Sequence, residues 1–306
     1  MVYDFAIIGG GPAGITAGIY SKRQGLDSVL ITKGFGGQMA QKAVDIENYP
    51  GFENISGFDL IQKMEDQLRA KKITIKDDKA IRIEKENDIF KITLESGEIL
   101  ETKTAVITSG SEPRPLDVPG EKEFIGRGVS YCTTCDGPLF SGKDIAIIGG
   151  GNGGFEAAIF MDVYANNIYL LEYADTMRAD KENQERAAKS KKIKLINGAR
   201  LKEIKGEKFV KEIVYFDKKE NTEKTLSVQG VFAQIGYGPA SSLAMGLVDL
   251  NEKKEIITDH KTTETKTPGI FAAGDVTDSF VKQVVVAAAD GAKSAMAAYK
   301  YLQSKK

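Results

Sequence analysis

Two stretches of this chain share one hydrophobic rhythm. "DFAIIGGGPAGITAGIY" begins at Asp4 and "DIAIIGGGNGGFEAAIF" begins at Asp144, 140 residues later. Each is a short β-branched apolar run, a glycine-rich turn and a segment of small residues, which predicts a buried strand, a tight turn and a helix. A second apolar strand follows each copy, "SVLIT" at 28–32 and "IYLLE" at 168–172. Between the copies, Ser56 precedes a helical face of Leu60, Ile61, Met64 and Leu68, with Asp59 where a capping-box acid belongs. "FKITLESGEILETKTAVITSG" alternates apolar and polar residues around a Ser-Gly turn and predicts a hairpin leading into an apolar strand. "KFVKEIVYFDKKENTEKTLSVQGVFAQIG" repeats that arrangement after the second loop, so the duplication extends beyond the glycines.

Three of the eight prolines fall in "SEPRPLDVPGE" at 111–121, a crossing between domains, and "IGYGPASS" at 235–242 is the expected return. The tail, "GIFAAGDV" and a small-residue helix from about Val284 to Leu302, resembles neither copy. The pattern predicts an α/β chain of two Rossmann-like three-layer dinucleotide-binding domains, the second inserted in the first. The expected division is 1–113 plus 243–306, and 114–242.

Composition narrows the chemistry. With 42 Lys and Arg against 43 Asp and Glu among 306 residues, the net charge of −1 lacks the footprint of a nucleic-acid binder. No apolar run reaches the ~18 residues of a membrane helix, and the N-terminus lacks the pattern of a secretory signal. A cytoplasmic protein is expected. Two cysteines cannot make a secreted disulfide framework, and the single histidine, His260, makes a Cys/His zinc site untenable. His260 lies in "TDHKTTET", a strand and turn, and is expected to be structural.

In the first loop Gly9, Gly11 and Gly14 fill the three glycine positions: tight turn, close approach to a pyrophosphate, close helix–strand packing. The pyrophosphate would rest on a helix N-terminus. The acid expected ~20 residues on for a ribose is replaced by Thr32 and Lys33. The second loop has Gly149, Gly151 and Gly154, and here the acid is present: Glu172 ends "IYLLE". A carboxylate there would accept hydrogen bonds from the ribose hydroxyls of NAD and repel the 2′-phosphate of NADP. Arg178 is the only basic residue close by in sequence, so the site is expected to prefer NADH. A strand end with no ligand is the plainer alternative.

"SYCTTCDG" holds the only cysteines, Cys132 and Cys135. A metal site would need two more ligands, and two unconnected thiols remain an alternative. A redox dithiol is the favoured reading, because this spacing at a helix start lets the sulfurs meet and eases thiolate formation. Asp136 could shuttle the proton that thiol–disulfide exchange moves, or simply cap the helix. Nicotinamide delivers hydride and a disulfide is reduced through thiolates, so a flavin is the natural converter between them.

The chain resembles, over nearly its full length, the low-molecular-weight thioredoxin reductases. It is closer still to the reductase portion of the alkyl hydroperoxide reductase flavoprotein subunit. The carrying motifs are "GGGPAG", "GFGGQ", "DIENYPG", "YCTTCDGPLF", "IIGGGNGGFEAA", "LLEYADTMRAD" and "GIFAAGDV". The resemblance implies FAD held by Gly9, Gly11, Gly14, Gln38, Asn48, Asp275 and Gln283, and NAD(P)H held by the second loop with Glu172 and Arg178. It implies that Cys135 faces the flavin, that Cys132 attacks the partner disulfide, and that Asp136 is the acid. Homodimers and a rotation between domains are also family features. The implied activity is electron transfer from NAD(P)H, NADH favoured, through FAD and Cys132–Cys135 to a thioredoxin- or glutaredoxin-like protein.

Two departures stand out. "EYADTMR" replaces the basic cluster that thioredoxin reductases use for NADPH. The peroxide-reductase relatives carry an extra N-terminal dithiol module, whereas Tyr3 here already lies in the first strand, so a separate small acceptor protein is expected. A ferredoxin-linked reductase, an NADH oxidase and a redox sensor are the alternatives.

Overall fold

The computed structural model describes residues 1–41 and 45–305. It divides into two compact units, Met1–Glu112 with Gly238–Lys306, and Pro113–Tyr237. Among the described residues no helix is long and apolar enough to cross a membrane.

In the first unit the opening strand Val2–Gly10 runs parallel to Ser28–Phe35 on one side and Ile99–Ile107 on the other. Thr74–Lys76 extends the sheet beyond Ser28–Phe35. The predicted hairpin forms, with Ile89–Leu94 antiparallel to Ile99–Ile107 and Ala80–Glu86 outside it. Ile270–Ala272 pairs with Ala105–Ile107 and completes seven strands. The buried stretches of the central strands, 5–8, 29–31 and 105–107, are apolar at every position because both faces are covered. Phe5 and Ile7 enter one core with Ile15 and Leu68, while Ala6 and Ile8 enter another with Phe90 and Leu243. The helices Pro12–Arg23, Gly57–Arg69 and Val284–Ser304 supply the first core. Phe5, Ile7, Leu30 and Phe271 are fully buried, each worth about 1.5–3 kcal/mol against exposure. Gly57–Arg69 starts where its cap predicts, the Asp59 N–H donating to Ser56 Oγ at 3.1 Å.

Residues 238–242 belong to this unit, although the sequence pattern assigns them to the other. The Ala240 N–H donates to the Gly110 carbonyl at 3.0 Å, and Ser109 Oγ donates to the Ala240 carbonyl at 2.6 Å.

The second unit is built on five parallel strands in the order Val129–Ser130, Gly230–Ala233, Asp144–Ile148, Asn167–Glu172, Ile193–Asn197. The helix Asn152–Met161 packs Phe155, Ala158 and Met161 against Ile145, Ile147 and Phe232. The opposite face is covered by an antiparallel meander, Ala199–Gly206, Val210–Asp217 and Thr222–Ser227. Its Ile204, Val210 and Ile213 meet Ala146, Ile148 and Leu171.

Candidate active site

The glycine turn of the first unit is shaped by contact with the neighbouring strand end. A Cβ on Gly9, whose φ is +119°, would lie 2.3 Å from the Thr108 carbonyl oxygen, and one on Gly14 would lie 1.9 Å from that of Gly9. Gly11 differs: a Cβ there meets nothing within 4 Å. It is the N-cap of Pro12–Arg23 and brings no capping side chain, which leaves first-turn N–H groups for an anion.

This turn opens onto a cavity of about 750 Å³ lined by Gly9, Gly11, Gln38, Asn48, Asp275 and Gln283. Gly14 stays behind it as the helix–strand contact. The sequence reading missed three parts of the lining, Glu47, the loop Thr108–Ser111 and Lys282. "TSGS" after an apolar strand was the available signal for the loop; Lys282 had none. Gln38 Nε2 donates to Ser111 Oγ, and Asn48 Nδ2 donates to Gln283 Oε1 at 3.3 Å. Lys282 Nζ donates to the carbonyls of Asp275 and Thr277 and pairs with Glu255 at 3.0 Å. Burial raises the Glu255 carboxyl, but Asn251 and Lys282 outweigh it and hold it below the ordinary value. Amide, carboxylate and ammonium groups thus converge on an uncapped helix end inside a roomy cavity, and these residues fit FAD.

The second unit repeats the turn. Gly149 has φ +121°, with its Cβ position 2.2 Å from the Gln234 carbonyl oxygen, and that of Gly154 is 1.7 Å from the Gly149 oxygen. Gly151 is again open and again caps a helix, Asn152–Met161, without a side chain. Glu172, only 2% exposed, stands under this turn. Its Oε2 accepts the Gly150 N–H at 2.7 Å, and its Oε1 accepts the Ala174 N–H at 2.8 Å and Arg178 Nη2 at 3.2 Å. Burial alone would raise its pKa; the two N–H groups and the Arg178 charge overcome that and lower it. Sequence alone predicts a carboxylate waiting for a ribose. In the structure each oxygen already has an N–H partner, so a ribose would use the remaining lone pairs in competition with Arg178.

The cysteines are joined, Cys132 Sγ to Cys135 Sγ at 2.09 Å. Cys132 caps the short helix Thr133–Asp136, its Sγ accepting the Cys135 N–H at 3.1 Å. Cys135 is exposed and Cys132 half-buried. Ser130 Oγ donates to Asp136 Oδ2 at 2.6 Å and accepts the Cys132 N–H at 3.0 Å, tying the acid to the cysteine backbone. Behind this loop, Tyr131 donates its hydroxyl to Glu121 Oε1 at 2.6 Å. Glu121, buried, also accepts the N–H groups of Leu116 at 2.6 Å and Asp117 at 2.9 Å. Burial first and the Glu121 carboxylate second push the Tyr131 phenol well above its ordinary value. Ser130 and Tyr131 stand in "SYCTTCDG", but nothing in the sequence gives them a role beside the cysteines, and Glu121 carries no motif at all. His260 is an exposed residue of the first unit, 3.8 Å from Asp278.

Two glycine turns of the dinucleotide-binding pattern stand in one chain with two cysteines bonded to each other. The chain belongs to the pyridine nucleotide-disulphide oxidoreductase family, which it matches over residues 3–291, and it has the fold of the low-molecular-weight thioredoxin reductases. The Lactococcus lactis thioredoxin reductase in its FR conformation superposes with a TM-score of 0.87 at 37% identity, covering 99% of both chains. The T. acidophilum thioredoxin reductase gives 0.83 at 34% identity with the same coverage. Among curated proteins, a Bacillus subtilis (strain 168) NADH dehydrogenase is 40% identical over 301 residues, 98% of this chain. A subunit of the alkyl hydroperoxide reductase of Staphylococcus aureus (strain MRSA252) is 39% identical over the same length. This chain spans 58% and 59% of those two proteins.

Proposed function

We propose that this chain is a disulfide reductase of the thioredoxin reductase type. It takes electrons from a nicotinamide dinucleotide, NADH in preference to NADPH, and delivers them to a thioredoxin- or glutaredoxin-like protein, working as a homodimer. The first unit is the FAD-binding domain, and the second is the NAD(P)H-binding domain that carries the cysteine pair. The observation that carries this reading is the Cys132–Cys135 disulfide with Asp136 hydrogen-bonded through Ser130 to the same loop.

FAD, when bound, supplies the conversion between hydride and thiolate chemistry. Gly9, Gly11 and Gly14 shape the turn that receives its pyrophosphate, and Gln38, Asn48, Asp275 and Gln283 supply polar contacts around the cavity. In the second unit Gly149, Gly151 and Gly154 shape the corresponding turn, with Glu172 and Arg178 at the ribose end. The Glu172 charge repels a 2′-phosphate, which favours NADH.

Once the pair is reduced, the Cys135 N–H that points at Cys132 Sγ stabilises negative charge on that sulfur. The Cys132 thiolate attacks the acceptor's disulfide, forming a mixed disulfide and expelling one acceptor thiolate, which Asp136 protonates. The Cys135 thiol then gives its proton to the Asp136 carboxylate and, as a thiolate, attacks Cys132 Sγ, restoring the Cys132–Cys135 bond and releasing the second acceptor thiolate, which takes that proton from Asp136. Two electrons leave the pair and two protons follow them to the acceptor.

Anaerobic stopped-flow of the FAD-loaded protein against NADH and NADPH separately tests the donor. Fast flavin bleaching by NADH and slow bleaching by NADPH is expected; no bleaching by either overturns the assignment.

A further inference from the structure

The segment after Glu172, Tyr173 to Met177, contains no basic residue, yet the fold brings one to it from elsewhere. The Gly198 N–H donates to the Ala174 carbonyl at 2.9 Å, and the Lys218 N–H donates to the Gly198 carbonyl at 3.0 Å. This threads Lys218, at the end of Val210–Asp217, beside the segment that follows Glu172. Lys218 Nζ donates to the Tyr173 carbonyl at 2.8 Å and sits 3.5 Å from the centroid of the Tyr173 ring. The neighbouring charges are otherwise engaged. Asp217 pairs with Lys224 at 2.8 Å, and Arg178 pairs with Glu172 at 3.2 Å. Asp175 is the acid nearest in the loop, reaching the same Gly198 position that Lys218 flanks. Among the described residues no carboxylate forms an ion pair with Lys218.

We infer that Lys218 is a specificity-determining residue, the cation that lets this site tolerate the 2′-phosphate of NADPH. The inference rests on the reading that the second unit binds a nicotinamide dinucleotide. Glu172 repels the phosphate from beneath the glycine turn. Lys218, pinned over Tyr173 by a hydrogen bond and a cation–π contact, offers it a counter-charge beside the residue that follows Glu172. Together they make the donor preference a graded one, in which NADPH is disfavoured and still bound.

The test measures NAD+ and NADP+ binding to the FAD-loaded full chain by calorimetry, for wild type, Lys218→Met and Lys218→Arg, at low and high salt. Lys218→Met is expected to weaken NADP+ by about tenfold or more and to leave NAD+ within about twofold. It also flattens the salt dependence of NADP+ binding, and Lys218→Arg restores both. Unchanged NADP+ binding overturns the inference, and so does an equal loss for both nucleotides, which would make Lys218 only a support for Tyr173. Wild type that binds neither nucleotide sinks the donor reading itself, and this inference with it.

Discussion

Gly11 and Gly14 stand three residues apart in one loop, and alanine at the two positions should do opposite things. At Gly14 the new Cβ would lie 1.9 Å from the Gly9 carbonyl oxygen and 2.8 Å from Thr108 Oγ1. Ordinary contact begins at 3.4 Å, so the helix must retreat by about 1.5 Å from a close-packed strand. Overpacking of that kind costs about 1–3 kcal/mol, taken from the apoprotein. At Gly11 the Cβ meets nothing within 4 Å, and φ −78° with ψ −178° suits any residue. Alanine there should stabilise the apoprotein slightly, by about 0.4–1 kcal/mol, through the unfolded chain. Its methyl group instead enters the space into which the cavity opens. A similar steric cost of about 1–3 kcal/mol then falls on the ligand, about 5- to 150-fold in Kd. The assays are thermal unfolding of the apoprotein and titration with FAD by fluorescence quenching. If Gly11→Ala binds FAD like wild type, or destabilises the apoprotein as much as Gly14→Ala, the reasoning about this turn is wrong.

Cys135→Ser should trap a mixed disulfide between Cys132 and the acceptor, visible by non-reducing electrophoresis; trapping through Cys135 in Cys132→Ser instead would reverse the order. The lowered Glu172 pKa means that its stabilisation is fully present above the ordinary 4.5 and is lost as pH falls through the lower folded value. Urea midpoints between about pH 6 and pH 3 should therefore fall less steeply for Glu172→Gln than for wild type; parallel curves would refute the assignment. Glu121→Gln leaves one of three donors poorly matched, costs about 1–3 kcal/mol, and lets the Tyr131 phenol ionise at lower pH in an ultraviolet titration. An unmoved Tyr131 titration would show that burial alone holds it.

What sequence could reveal here was local and periodic. Each glycine turn, each hairpin and the Ser56 cap is written within a short window, because one backbone requirement selects each residue. The environment of Glu172 lies partly outside any such window. Its position was legible, but its engagement by the Gly150 and Ala174 N–H groups depends on how the turn closes over it. Lys218 over Tyr173, Glu121 under Tyr131 and Lys282 between Glu255 and Asp275 are harder still. Each is a charged residue whose partner is fixed by strand register or loop closure, and charged residues are so common on surfaces that none announces itself. The second crossing was misplaced for a related reason: "GYGPASS" looks like a connector throughout, and only the Ala240 backbone bonds decide which side holds it.

The insertion of one unit into another sets an order of events during synthesis. Pro113–Tyr237 is continuous, so its sheet can close as soon as that stretch has left the ribosome. The first unit cannot. Its seventh strand, Ile270–Ala272, and the helix Val284–Ser304 are made only after the inserted unit, and that helix packs so closely that a Cβ on Gly291 would lie 2.0 Å from the Ala13 carbonyl oxygen. Until those residues emerge, the cores on the two faces of the opening strands wait incompletely covered. Asp275 and Gln283 arrive with them, so the cavity beside the first glycine turn can form only after the whole inserted unit has been made, and no ligand can be held there before then.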